Sequence, residues 1–258
     1  MHHEYVDRTV IVTGAVRGIG RAIAHAFASR GALVIAADIV EDELGDVAAT
    51  LGADASGRIE TMLTDVTDAA SVAALVAHAE AQSTHGAVDV LVHSAGGVRG
   101  RSKQPIESVS EEDWQAVQDV NVRGAFLCSR AVVPGMKRTG SGRIVIISSR
   151  AGLGVSLTGI ASYGTAKAAQ IGMVRQLAQE LGASGITVNS VAPGFMRTNP
   201  DSERQWQSYS ESEQRAVLAR VAMRRMGTPE DITNAVLFFA GDASSWVTGQ
   251  TLAVTGSP

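Results

Sequence analysis

Tyr163 and Lys167 stand four residues apart in Ser162-Tyr163-Gly164-Thr165-Ala166-Lys167, at the head of a helically spaced stretch. On a helix that spacing puts both side chains on one face. A free phenol titrates near pH 10 and is a poor base at neutrality. An ammonium about 4 Å away contributes on the order of 4 kcal/mol at an effective dielectric of 20, or roughly three pKa units. The pair is therefore expected to bring a phenolate within reach and to move a proton to or from an oxygen. Tyr-x-x-x-Lys also arises by accident on helix surfaces, so its company in the chain decides its meaning.

A second constellation lies near the start, in Thr13-Gly14-Ala15-Val16-Arg17-Gly18-Ile19-Gly20. Glycines at this spacing, after an apolar run and before a helical one, let the chain turn sharply and bring backbone N–H groups close to a pyrophosphate. Gly14, Arg17, Gly18, Ile19 and Gly20 are thus candidates to hold a dinucleotide. Asp38 closes the next apolar run, where a carboxylate accepts hydrogen bonds from ribose hydroxyls, which favours NAD. A 2′-phosphate there meets a like charge, with a repulsion on the order of 4 kcal/mol per unit charge at 4 Å and an effective dielectric of 20. Arg17 keeps NADP open as the alternative, because a guanidinium beside the turn can hold such a phosphate.

These groups need a scaffold. Short runs rich in Val, Ile and Leu recur over Thr9 to Thr13, Leu33 to Ala37, Ile59 to Leu63, Val88 to His93, Ile144 to Ser148, Thr187 to Ala192 and Thr251 to Val254. They are apolar on both faces, as parallel strands covered above and below must be. Helical spacing fills the gaps, over Arg21 to Ala28, Ser71 to Gln82, Trp114 to Val133 and Ala166 to Leu181. The alternation predicts an α/β chain, residues 1–258 forming a single domain: a doubly wound, seven-stranded parallel sheet with helices on both faces and ligands beyond the carboxyl ends of the strands. Thr228-Pro229-Glu230-Asp231 marks a late helix start. Residues 193–226 are polar, lack a strand pattern and read as a substrate lid.

Bulk properties narrow the classes. The 258 residues are 45% hydrophobic and 19% charged, ordinary for a globular chain. A net charge of −4 gives no reason to expect a nucleic-acid partner. The polar N-terminus and the lack of a long apolar run predict a cytoplasmic protein with no membrane partner. Cys128, the single cysteine, excludes an intrachain disulfide and a thiolate metal cluster, and its apolar setting predicts a packing role; no metal site is expected.

The ordered set of the glycine turn, Asp65-Val66, His93-Ser94-Ala95-Gly96, Asn121, Ser148-Ser149, Tyr163 to Lys167 and Asn189-Ser190-Val191-Ala192-Pro193-Gly194 resembles the short-chain dehydrogenase/reductase family over nearly the whole chain. The resemblance extends to its 3-oxoacyl-carrier-protein reductases and its sugar and alcohol dehydrogenases. It implies a Rossmann-type fold, a nicotinamide cofactor and a homo-oligomer, commonly a tetramer. It also implies roles. Tyr163 is the acid or base, and Lys167 also reaches the nicotinamide ribose. Ser149, in preference to Ser148, orients the substrate oxygen, and Asn121 holds a water that relays protons to the lysine. Asp65 and Val66 flank the adenine, Ser94, Ala95 and Gly96 form a turn against the cofactor, and Pro193, Gly194 and Thr198 hold the carboxamide.

Two stretches depart from the family pattern. His93-Ser94-Ala95-Gly96 replaces the usual Asn-Asn-Ala-Gly, and Ala253 to Pro258 replaces the usual Val-Asp-Gly-Gly ending. For substrate, Arg99, Arg101 and Lys103 after the fourth strand, and Arg197, Asn199 and Arg204 in the lid, suit an anionic or polyhydroxylated compound if they converge, and are solvated charges if they do not. The leading expectation is NAD-dependent oxidation of a secondary alcohol on a small polar molecule. An NADPH-dependent 3-oxoacyl thioester reductase and a non-catalytic dinucleotide-binding regulator are the alternatives.

Overall fold

A computed structural model describes residues 4–156, 158–198 and 200–257. Within them the elements run β1 (Thr9–Thr13), α1 (Gly18–Ala28), β2 (Leu33–Asp38), α2 (Glu41–Ala49), β3 (Arg58–Leu63), α3 (Ala69–Gln82), β4 (Val90–His93), α4 (Glu111–Gln118), α5 (Gly124–Thr139), β5 (Gly142–Ile147), α6 (Ala161–Leu181), β6 (Ile186–Pro193), α7 (Pro200–Gln207), α8 (Glu211–Arg220), α9 (Pro229–Ala240) and β7 (Thr251–Val254). All seven strands are parallel, in the order β3-β2-β1-β4-β5-β6-β7. The order reverses beside β1, so a crevice opens between the carboxyl ends of β1 and β4, the usual place for a ligand in such sheets.

Alternation along each central strand builds two cores. Val10 and Val12 of β1 join Ile23 and Phe27 of α1 and Ile232 and Val236 of α9 on one face. Ile11 points the other way, to Leu75 of α3, Val132 of α5 and Val174 of α6. The edge strand β7 is different, leaving Leu252 and Ala253 exposed.

The expected strands appear, β1 and β7 with the expected bounds and the other five with shifted ends. β4 starts at Val90 rather than Val88; just before it, the carboxylate of Asp89 accepts from the Thr9 N–H and pairs with Arg8. The stretch expected as one helix over Trp114 to Val133 is α4 and α5 joined by a π turn at Asp119–Arg123. Helix α2 was not anticipated; only Leu44 and Val47 of its nine residues are buried, too few to declare a period. Among the described residues of 193–226 there is no strand beyond β6, as expected, and the stretch carries α7 and α8. Asp231 closes the start of α9 by accepting from the Thr228 N–H and from Arg225, and Pro229 takes the first helical position. Cys128 is buried in α5, and desolvation pushes its thiol up to about 12. No helix among the described residues is long and apolar enough to cross a membrane.

Candidate active site

The glycine turn after β1 has the conformation that its residues predict. Gly14 and Gly18 have φ of 67° and 51°, where side chains strain the backbone. A Cβ on Gly20 would lie 1.9 Å from the Gly14 carbonyl oxygen, so only glycine lets α1 seat this closely. Thr198, from the segment after β6, stands over the turn: a Cβ on Gly18 would come within 2.4 Å of its carbonyl oxygen. Sequence positions 18 and 198 are thus brought together, as two parts of one dinucleotide site require.

At the end of β2 the Asp38 carboxylate accepts from the N–H groups of Val16, Ile39 and Val40 at 3.0, 2.8 and 3.2 Å. Those bonds fix its orientation beside the glycine turn. Arg17 is not free: its guanidinium makes a two-pronged ion pair with Glu43 of α2. Asp65 accepts from both the N–H and the hydroxyl of Thr67, and Val66 is buried against Gly124. Ala95 N–H donates to Thr13 Oγ1, and Ser94 is half-buried. Gly96 has a φ of 152°, and a Cβ there would meet Asn121 Oδ1 at 2.5 Å. Pro193 pairs with Val254 across β6 and β7, and Gly194 N–H donates to Val254. These residues fit a dinucleotide: a cradle that admits no Cβ, backed by a fixed carboxylate at the ribose end.

Asn121, Ser149, Tyr163 and Lys167 come together at the carboxyl ends of β4 and β5. The π turn carries Asn121 inward, fully buried; its side-chain amide donates to the carbonyls of Val117 and Gly97 while its Oδ1 accepts from the Gly97 N–H. Gln118 donates to the Ser162 carbonyl and ties α4 to the first turn of α6. The two serines after β5 divide. Ser148 is buried, bonded to Ser190 Oγ at 2.6 Å and to the Val191 carbonyl. Ser149 accepts from the Ala151 N–H and has its hydroxyl beside the Tyr163 phenol. Lys167 Nζ lies 5.7 Å from the Tyr163 ring centroid and donates to the Ile147 carbonyl and to Gln170 Oε1, each at 3.0 Å.

The electrostatics correct one expectation. Tyr163 is not acidified in this state: burial raises its pKa above 10, and the Ser149 hydroxyl only partly opposes this. Burial also lowers Lys167 to about 7, so near neutrality much of the ammonium charge assumed from the sequence is absent. Desolvation of both partners outweighs their mutual attraction. His93 replaces the expected asparagine without restoring its amide. It is fully buried, with Nδ1 3.1 Å from Thr13 Oγ1 and Nε2 lacking a partner; burial first, then the charge of Lys167, lowers it to about 3.

The substrate candidates do not converge as free cations. Arg197 makes two hydrogen bonds to Glu203, at 2.7 and 2.8 Å, and lies over the Trp206 ring. Arg101 pairs with Asp113, and the Lys103 stem packs where a Cβ on Gly159 would lie. Arg99 is exposed with a φ of 55°, Arg204 lies in the last turn of α7, and Asn199 lies outside the described residues. Glu43 and Gln170 were not singled out from the sequence. A glutamine seven residues beyond Tyr163 and three beyond Lys167, on the same helix face, was the signal available for the second.

A family model described as Enoyl-(Acyl carrier protein) reductase matches residues 14–256. The chain is 38% identical to the (2S)-[(R)-hydroxy(phenyl)methyl]succinyl-CoA dehydrogenase subunit BbsD of Thauera aromatica, over 97% of this chain and 96% of that one. It is also 38% identical to the cis-4-hydroxycyclohexanecarboxylate dehydrogenase of Sinomonas cyclohexanicum, over 99% and 98%. Among solved structures, a 3-oxoacyl-[acyl-carrier protein] reductase with bound NAD from Brucella melitensis superposes with a TM-score of 0.86 at 32% identity, covering 99% of this chain and 92% of that one. With its sheet order, glycine turn and polar tetrad, the chain belongs to the short-chain dehydrogenase/reductase family, oxidoreductases acting on CH–OH groups and their carbonyls.

Proposed function

We propose that the protein is an NAD-dependent dehydrogenase interconverting a secondary alcohol and its carbonyl, on a sugar, a polyol or a small, possibly anionic, hydroxy compound. The bound dinucleotide supplies the hydride acceptor. Gly14, Gly18, Ile19 and Gly20 cradle its pyrophosphate, Asp38 meets the adenosine ribose, Asp65 and Val66 flank the adenine, and Ser94 to Gly96 with Pro193, Gly194 and Thr198 close on the far end. Ser149 orients the substrate oxygen, Tyr163 exchanges the proton, Lys167 bonds the nicotinamide ribose and biases the phenol, and Asn121 pins the turn at Gly97. The carrying observation is this tetrad gathered beside the glycine cradle. The same tetrad weighs against a non-catalytic regulator.

NAD is favoured over NADP because Arg17, the cation at hand for a 2′-phosphate, is matched by Glu43 while Asp38 holds the ribose position. The pairing of Arg197 and Arg101 with carboxylates turns the substrate reading toward neutral or weakly anionic hydroxy compounds. Two relatives, those of Thauera aromatica and Sinomonas cyclohexanicum, are named as dehydrogenases of hydroxy compounds, while others, FabG of Escherichia coli among them, are named as 3-oxoacyl-[acyl-carrier-protein] reductases. One observation favours the reductive alternative, a 3-oxoacyl thioester reduced with NADPH: Tyr163 retains its proton and is ready to give it to a carbonyl oxygen. Residues 193–226 serve as the lid, and the exposed Leu252 and Trp246 suit a homo-oligomer, a tetramer by family resemblance, in the cytoplasm.

A screen of polyols, aldoses, cyclic diols and cis-4-hydroxycyclohexanecarboxylate with NAD and with NADP tests the proposal. NADH formation with one of them, rising with pH as the phenol gives up its proton, is expected. No turnover there, beside rapid NADPH oxidation with an acetoacetyl thioester, selects the reductive reading instead.

A further inference from the structure

Lys167 and Gln170 lie three residues apart, one turn along α6, both buried. Lys167 Nζ donates to Gln170 Oε1 at 3.0 Å, and Gln170 Nε2 donates to the backbone carbonyl of Asn121 at 2.7 Å. An ammonium only donates and a carbonyl only accepts, so this amide has one orientation, with its oxygen to the lysine and its nitrogen to the π turn. With the bond to Ile147, two of the three ammonium donors are committed to neutral acceptors anchored in β5 and in the π turn, and one is left to turn toward Tyr163. Each polar atom of the glutamine side chain thus has a partner in the buried site.

We propose that Gln170 is a positioning residue of the reaction: its amide joins Lys167 directly to the Asn121 carbonyl, so that the chain's own side chain fixes the ammonium beside Tyr163 and favours its charged form over the neutral amine. This rests on the catalytic reading given above. An amide neither gives up nor takes on a proton near neutrality, so the bridge holds the lysine without passing protons through itself. The titratable groups facing the ammonium are Tyr163 on its own helix and His93 at the end of β4, both uncharged near neutrality. Asn121 and Ser149 are the neutral polar neighbours, and Arg150, on the turn packed against α6, is exposed. Burial alone lowers the lysine, to about 7, which makes each acceptor that favours its charged form count.

The chain has three lysines, Lys103, Lys137 and Lys167, so a 13Cε-lysine NMR titration resolves this one directly, with Lys167→Met giving its assignment. Gln170→Met keeps length and volume and loses the acceptor; Gln170→Glu keeps the acceptor and adds a negative charge. The first should lower the Lys167 midpoint by about one to two pH units, since a hydrogen bond to a charged group is lost, and the second should raise it. The pH profile of kcat/KM should move in the same two directions, while Lys103 and Lys137 titrate as before. Opposite displacements are not what a filler of space produces. A Lys167 midpoint that stays put in either folded variant overturns the proposal, even where Tyr163→Phe is inactive. Full turnover in Tyr163→Phe instead overturns the catalytic reading and leaves the lysine titration to be judged by itself.

Discussion

His93 ends β4 as a buried, neutral imidazole whose Nε2 has no partner, and its pKa is lowered from 6.5 to about 3. Between those values the unfolded chain binds a proton here that the folded chain refuses. Stability supplied by this group is therefore present above about pH 6.5 and is lost as pH falls toward 3, at about 1.4 kcal/mol per unit. At about pH 5 the loss is roughly 2 kcal/mol, a large share of the ordinary margin of a folded domain. Asparagine, the residue that the family pattern leads one to expect, does not titrate in this window. Urea unfolding of the native chain and of His93→Asn at about pH 7.5 and about pH 5 isolates the term, because any packing difference between the two side chains cancels between the two pH values. The variant should gain about 2 kcal/mol on the native chain between the two conditions. An offset between the proteins that is the same at both values refutes the argument, and means that the imidazole is protonated in the fold or reached by water.

Other expectations follow from the same site. Asp38→Ser combined with Glu43→Gln removes the carboxylate at the ribose position and releases Arg17, so the ratio of kcat/KM with NAD to that with NADP should fall on the order of tenfold or more; an unchanged ratio counts against the cofactor assignment. Lys167 is held at about 7 against an ordinary 10.5, so the folded chain refuses a proton that the unfolded chain keeps, and stability from this group rises with pH across that window. Lys167→Met, free of the penalty, should be the more stable protein near pH 7 without dinucleotide, its advantage shrinking by about 1.4 kcal/mol per pH unit above that. An advantage flat with pH would show that the lysine is already charged when buried.

The fold was legible because its signals are long-range and redundant. β1 and β7 fall where the apolar runs place them, and the Gly14 to Gly20 turn has a geometry that admits no side chain where the glycines stand. Features set by one or two side chains were not. The π turn at Asp119–Arg123 interrupts a continuous apolar period, and only the inward amide of Asn121, bonding the Val117 carbonyl, accounts for the break. The Arg17–Glu43 pair joins residues 26 apart through a helix with almost no hydrophobic period. The electrostatics of Tyr163 and Lys167 misled for a physical reason: spacing shows that two groups meet but not how much water both have lost, and here desolvation exceeds attraction.

On the proposed function, the hydroxyl of Tyr163 exchanges the proton during hydride transfer. Tyr163→Phe removes that oxygen and keeps the ring over which Lys167 lies. Stopped-flow turnover of the substrate found in the screen, with dinucleotide binding measured by fluorescence on the same sample, separates chemistry from folding. A loss in kcat on the order of a hundredfold to ten-thousandfold is expected, with dinucleotide affinity close to that of the native chain. A variant that binds the dinucleotide and turns over at the native rate would contradict it.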